Sequence, residues 1–129
     1  MLNFTMSELL YSGTAVKYCI SNIPDPKAMD CLLELIFYVL QPLRDKLGKP
    51  IKVTSGYRCP KVNSLVGGAA TSQHIKGQAA DIVVQDMSIK ALIEFIKKSG
   101  IEYDQLIDER TWVHISFNKG KNRKQSFKL

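Results

Sequence analysis

The sequence predicts an α+β domain in which helices pack on one side of a small antiparallel sheet. Three observations lead there. Between Lys27 and Leu47, apolar residues recur at Leu32, Leu35, Ile36, Val39, Leu40, Leu43 and Leu47, the spacing of one buried helix face. Four short stretches, 50–55, 78–84, 103–108 and 112–117, carry the apolar or alternating pattern of strands, and the last two are close enough to form a hairpin. A second helical repeat, with Ile89, Leu92, Ile93 and Ile96 on one face, falls among those strands. Helices first, then strands mixed with a helix, is the order of an α+β layout.

From the N-terminus, Phe4-Thr5-Met6-Ser7-Glu8 opens a short helix, with Thr5 as N-cap and Glu8 placed to close a capping box. That helix is expected to end near Ser12-Gly13. Ile23-Pro24-Asp25-Pro26 forbids helix, because proline pushes the residue before it into extended backbone. The main helix follows. Pro42 removes one of its backbone bonds and predicts a kink, and Gly48 stops it. Pro50 to Ser55 reads as a strand leading into a turn at Gly56-Tyr57-Arg58, and residues 60–73 as loop with room for one helical turn. Gln78 to Val84 is the strongest strand. Ser88 caps the second long helix, which runs to about Lys98 and ends at Gly100, ahead of the closing strands.

A chain of 129 residues suits one domain, since two halves would each lack a sufficient core. No apolar run reaches the ~20 residues of a bilayer span. Met1-Leu2-Asn3-Phe4-Thr5 lacks the basic and apolar regions of a signal peptide, so cytoplasmic synthesis without one is expected. Cys19, Cys31 and Cys59 are odd in number and show no C-x-x-C spacing; reduced thiols in core or half-buried positions are expected. The net charge of +6 is unevenly spread. Residues 119–129 hold Lys119, Lys121, Arg123, Lys124 and Lys128 and no acid. The reading is therefore a domain over 1–118 and a basic C-terminal tail over 119–129, able to meet an anionic polymer.

Ser72-Gln73-His74-Ile75-Lys76-Gly77-Gln78-Ala79-Ala80-Asp81 sets an imidazole and a carboxylate seven residues apart, with Gly77 free to turn sharply between them. Both are good zinc ligands. The other histidine, His114, lies in the alternating stretch Trp112-Val113-His114-Ile115-Ser116, on the face opposite Val113 and Ile115. Three protein ligands and one open position describe a catalytic zinc. Spacing alone leaves two readings: this metal site, or hydrogen-bonded core histidines.

Ser72-x-His74-x-x-Gly77-x-Ala79-x-Asp81 resembles the signature of the zinc D-Ala-D-Ala carboxypeptidases, D-Ala-D-Ala dipeptidases and L-alanyl-D-glutamate endopeptidases of bacterial walls and phages. Ser55-Gly56-Tyr57-Arg58-Cys59-Pro60 with Asn63 resembles the stretch preceding that signature, and Trp112-Val113-His114 its C-terminal ligand strand. Phe4-Thr5-x-Ser7-Glu8 and Leu43-Arg44 look like the small single-domain, phage- or prophage-type members, and the fold implied is the one shared with the zinc domain of hedgehog proteins. The resemblance implies Zn²⁺ on His74, Asp81 and His114. It implies charge stabilisation by Arg58, and substrate contacts or loop orientation by Ser72, Gln73, Tyr57 and Asn63.

The sequence departs from that family at the general base. Many relatives carry an acid three residues before the last histidine, where this chain has Thr111. If Arg110-Thr111 is a two-residue hairpin loop, Ile107 pairs with His114 and Glu109 with Trp112, which puts Glu109 on the face of His114. A three-residue loop would put Asp108 there instead. Glu109 is the preferred base. The function the resemblance implies is a zinc metallopeptidase cutting peptidoglycan stem peptides, of carboxypeptidase or endopeptidase type, released to the wall as an endolysin, with the tail on an anionic wall polymer. The alternative is a catalytically inactive zinc-containing binding module. Specific nucleic-acid binding is not expected, since no aromatic–basic motif occurs in the body of the chain.

Overall fold

The computed structural model describes residues 2–129. Its elements run α1 (Met6–Leu10), α2 (Gly13–Lys17), α3 (Pro26–Leu35), a π-helical turn (Ile36–Leu40), α4 (Gln41–Leu47), β1 (Ile51–Ser55), α5 (Pro60–Leu65), β2 (Ala79–Val84), α6 (Ile89–Ser99), β3 (Gln105–Asp108), β4 (Val113–Ser116) and β5 (Gln125–Lys128). This is the α+β arrangement expected. The strand order is β1-β2-β4-β3-β5, antiparallel except that β5 runs parallel to β3.

Local chemistry accounts for the ends of the helices. Thr5 accepts from the Glu8 amide while the Glu8 carboxylate accepts from the Thr5 amide, the capping box written in the sequence. The Ser12–Gly13 stretch, expected only to end α1, instead starts α2: Ser12 Oγ accepts from the Ala15 amide at 3.1 Å. Pro42 is accommodated by a change of helical period rather than by a kink alone. The Gln41 amide donates five residues back to Ile36 O, and this widened turn stands directly before the proline, which occupies the first turn of α4. Gly48 closes α4 with φ 67°.

One face of the sheet makes the core. Ala80, Ile82, Leu106, Val113 and Ile115 pack with Leu32, Leu35, Val39 and Leu43 of the long helical segment and with Leu92 and Ile96 of α6. The other face is given by register. Ser55 stands across from Asp81, Asp81 from His114, and His114 from Ile107, so these four side chains form a row across four strands. A bulge at Thr54 between Val53 and Ser55 sets Ser55 into that row while keeping Val53 paired with the core residue Ile82.

The segment 119–129, expected as a basic tail, is structured. Residues 125–128 extend the sheet as β5, and Arg123 forms an ion pair with buried Asp104. Lys119 lies 3.9 Å from Glu34. The thiols are free: Cys31 and Cys59 are half-buried, whereas Cys19 is exposed. Among the described residues, no helix is long and apolar enough to cross a membrane.

Candidate metal centre

His74 comes from the turn before β2, Asp81 from the middle of β2 and His114 from β4. Glycine makes the first of these placements possible. Gly77 has φ 73°, and a Cβ there would collide with the Ala28 carbonyl, so only glycine lets the turn pass this close to α3. His74 Nδ1 lies 2.7 Å from the Gly56 carbonyl, an acceptor only, so this nitrogen carries the proton and donates. His74 Nε2 is thereby left as a lone pair.

That lone pair stands 3.3 Å from Asp81 Oδ1, and His114 Nδ1 stands 3.3 Å from the same oxygen. The three donor atoms lie within 4.8 Å of one another, and all three residues are at least nine-tenths buried. An imidazole lone pair facing a carboxylate oxygen is repulsive unless a cation or a proton lies between them. Tetrahedral bonds of 2.0–2.1 Å place neighbouring ligand atoms about 3.3–3.4 Å apart, which is the spacing of Asp81 Oδ1 from each imidazole nitrogen. His114 Nε2 is buried with no hydrogen-bond partner among the described residues, so no contact on that side fixes the tautomer of this ring, and its Nδ1, facing Asp81, is available to ligate. Donor types, spacing and tautomer all fit Zn²⁺. Burial pushes the Asp81 carboxyl up; with a proton on each facing imidazole nitrogen, hydrogen bonds and charge from His114 and His74 outweigh burial and hold the group at about 2, and a cation in the same place would act in the same direction.

Arg58 stands beside the trio with its guanidinium fixed on three sides. Nε donates to Ser55 Oγ at 3.2 Å, Nη1 to Asn63 Oδ1 at 3.3 Å, and Nη2 to Asp81 Oδ2 at 3.3 Å. A guanidinium has five N–H groups, so two remain for another oxygen. Asn63 is 2% exposed and also donates to Ala69 O at 2.9 Å, and Tyr57 lies in the hydrophobic core. Neither lines the cleft over the metal trio, so the substrate contact implied for both gives way to support of Arg58 and packing. Ser72 and Gln73 do line it. Ser72 Oγ accepts from the His74 amide at 3.2 Å, and Gln73 Nε2 donates to Asp104 Oδ2 at 2.8 Å.

The hairpin register answers where the nearby acids point. Ile107 pairs with His114, and the Glu109 amide donates to Trp112 O at 3.1 Å across the two-residue loop Arg110-Thr111, with Arg110 at φ 74°. Glu109 therefore faces the cleft, where its Oε2 accepts from Trp112 Nε1 at 2.9 Å. Asp108 pairs with Val113 and accepts from the Arg110 amide at 2.9 Å; it does not line the cleft. The cavity measures about 770 Å³.

Four charged residues of this cavity lie outside the candidates read from the sequence: Lys76, Asp104, Lys121 and Arg123. Asp104 is 1% exposed and accepts from Gln73, from the Arg123 amide and from both arms of the Arg123 guanidinium. Arg123 and Gln73 hold its carboxyl below the ordinary range despite burial. The one signal available was an acid between Tyr103 and the apolar pair Leu106-Ile107, inside a predicted strand.

A three-donor metal site on the open face of an α+β sheet, beside a fixed arginine and a cleft carboxylate, is the arrangement of a metal-dependent hydrolase. The chain matches the family described as Peptidase M15 over residues 2–116 and belongs to it. It is 40% identical over 62 residues to the zinc D-Ala-D-Ala carboxypeptidase of Streptomyces albus G, covering 47% of this chain and 24% of that protein. It is also 24% identical over 110 residues to an amidophosphoribosyltransferase of Methanothermobacter thermautotrophicus, covering 85% of this chain and 21% of that protein. The chain thus spans about a quarter or less of the length of either relative.

Proposed function

We propose that this domain is a zinc peptidase that hydrolyses peptide bonds in peptidoglycan stem peptides, with zinc on His74, Asp81 and His114. The observation that carries the reading is the pair of 3.3 Å approaches to Asp81 Oδ1, one of them from His74 Nε2, a bare lone pair because the ring's proton sits on Nδ1 and is donated to the Gly56 carbonyl. When bound, zinc supplies Lewis acidity, polarising a carbonyl and bringing a water toward ionisation near neutral pH.

The chain's own residues supply the remainder. Glu109 takes the proton from the attacking water and passes it to the leaving amine, with the Trp112 indole N–H orienting its carboxylate. Arg58 offers its two remaining N–H groups to the oxygen that gains negative charge, from a position fixed by Ser55, Asn63 and Asp81. Ser72 holds the backbone of His74 in place. The cleft also carries Lys76 and Lys121, which form no ion pair among the described residues, beside Arg58, and this favours an anionic substrate such as a stem peptide.

The alternative of an inactive binding module rests on Thr111, and Glu109 on the cleft face supplies the acid that Thr111 lacks. Wall-polymer contact through the C-terminal segment narrows to Lys124 and Lys128, since Lys119 and Arg123 have acidic partners and Lys121 lines the cleft. The test is digestion of a synthetic stem pentapeptide and of purified sacculi, before and after chelation and again after zinc is restored. Zinc-dependent cleavage at one defined bond is expected; intact substrate with fully zinc-loaded protein would reject the reading.

A further inference from the structure

The family match ends at residue 116, yet the cleft wall continues through residues 118–123. This added wall is built firmly. The Lys121 amide donates to Asn118 O at 2.8 Å, the Asn118 amide donates to Asn122 Oδ1 at 2.8 Å, and Gly120 takes φ 76° to close the turn. The Arg123 guanidinium then forks onto Asp104 with two contacts of 2.9 Å, and β5 pairs with β3 beyond it. Asp104 in turn holds Gln73, the neighbour of the ligand His74.

The cations on this wall are used differently. Arg123 is tied to Asp104, and Lys119 sits off the cleft beside Glu34 and the Tyr38 ring. Lys121 lines the cleft and, among the described residues, has no ion-pair partner. It is a lone ammonium on a fixed turn, at the edge of a site where the other cations of the C-terminal segment are neutralised or elsewhere.

We infer that residues 118–123 are a substrate-binding wall, and that Lys121 is a specificity-determining residue recognising a carboxylate of the substrate outside the scissile bond. The inference rests on the peptidase reading for its substrate, but not for the binding itself. The Arg123–Asp104 pair serves as the anchor that keeps Lys121 at the cleft.

The experiment compares wild type, Lys121→Ala and the control Lys49→Ala, all zinc-loaded. Lys121 and Lys49 are both exposed, so neither change threatens folding. The probes are L-Ala-γ-D-Glu-L-Lys-D-Ala-D-Ala and two versions of it, each with one carboxylate amidated. Turnover is followed by product analysis and binding by calorimetry. Lys121→Ala should raise KM roughly tenfold with kcat within about twofold, the loss of one charge-assisted contact. Amidating the recognised carboxylate should produce the same loss in wild type and no further loss in Lys121→Ala. Lys49→Ala should match wild type. Equal behaviour of the two lysine variants, or a Lys121→Ala effect undiminished on both amidated peptides, would overturn the inference. Wild type that binds the peptide in a Lys121-dependent way but cuts none of the probes would keep the inference and reject the peptidase reading; neither binding nor cutting would reject both.

Discussion

His114 stands directly across from Asp81 in the pairing of β4 with β2, and its Nδ1 lies 3.3 Å from Asp81 Oδ1. The sheet register itself therefore assembles two of the three ligands. His74 joins them from a turn whose path depends on Gly77. Because directly paired residues share a face, the same register carries Glu109 to the cleft side and turns Asp108 away from it.

The two acids are separable by substitution. Glu109→Gln should leave zinc binding and the thermal midpoint nearly unchanged while lowering kcat by about 10²–10⁴-fold, the worth of a general base. Asp108→Asn should retain activity within a few-fold. Steady-state kinetics on a stem peptide with both variants checks this, and the reverse ranking would move the base to Asp108.

Gly77 and Gly48 share a left-handed backbone but differ in surroundings. At Gly48 nothing lies within contact of an added Cβ, so Gly48→Ala should cost only the backbone term, about 1–2 kcal/mol. Gly77→Ala adds a collision with the Ala28 carbonyl and should cost more, while also displacing His74 and weakening zinc binding. Urea unfolding of both variants tests the contrast, and equal losses would contradict the close packing of this turn on α3.

Asp104 gives a pH signature. Its carboxyl is held below the usual Asp value of ~3.9 by Arg123, so the folded state binds its proton less readily than the unfolded chain. The stabilisation is thus fully present above about pH 4 and is lost as pH falls through the lower folded value. Asp104→Asn should be less stable than wild type at pH 6 by on the order of 1–3 kcal/mol. That gap should shrink steadily below pH 4. Thermal midpoints across this range decide it, and a gap independent of pH would show that Asp104 acts through packing alone.

Much of this was legible in the residues, for physical reasons. Helical spacing in 32–47 and alternation in 112–117 report which side meets the hydrophobic core, and a two-residue hairpin loop leaves one pairing for Ile107 with His114. The rest depends on partners far along the chain. β5 is a polar edge strand, Gln125-Ser126-Phe127-Lys128, whose parallel pairing with β3 has no local pattern to announce it. Asp104 acquires its role from Gln73 and Arg123, 31 and 19 residues away. The short helix α2 needs only a serine cap, and Ser12-Gly13 carries the pattern of a helix end as well as of a helix start. Tyr57 and Asn63 share a motif with Arg58, yet alternation along an irregular turn did not disclose that they face inward.

The most direct measurement is zinc stoichiometry by native mass spectrometry on wild type, Asp81→Ala and His114→Ala, with circular dichroism to establish folding. One zinc ion per wild-type chain, and none on either folded variant at the same metal concentration, is the predicted result. Wild-type protein that stays free of zinc, or folded variants that bind it as tightly as wild type, would contradict a metal centre on His74, Asp81 and His114.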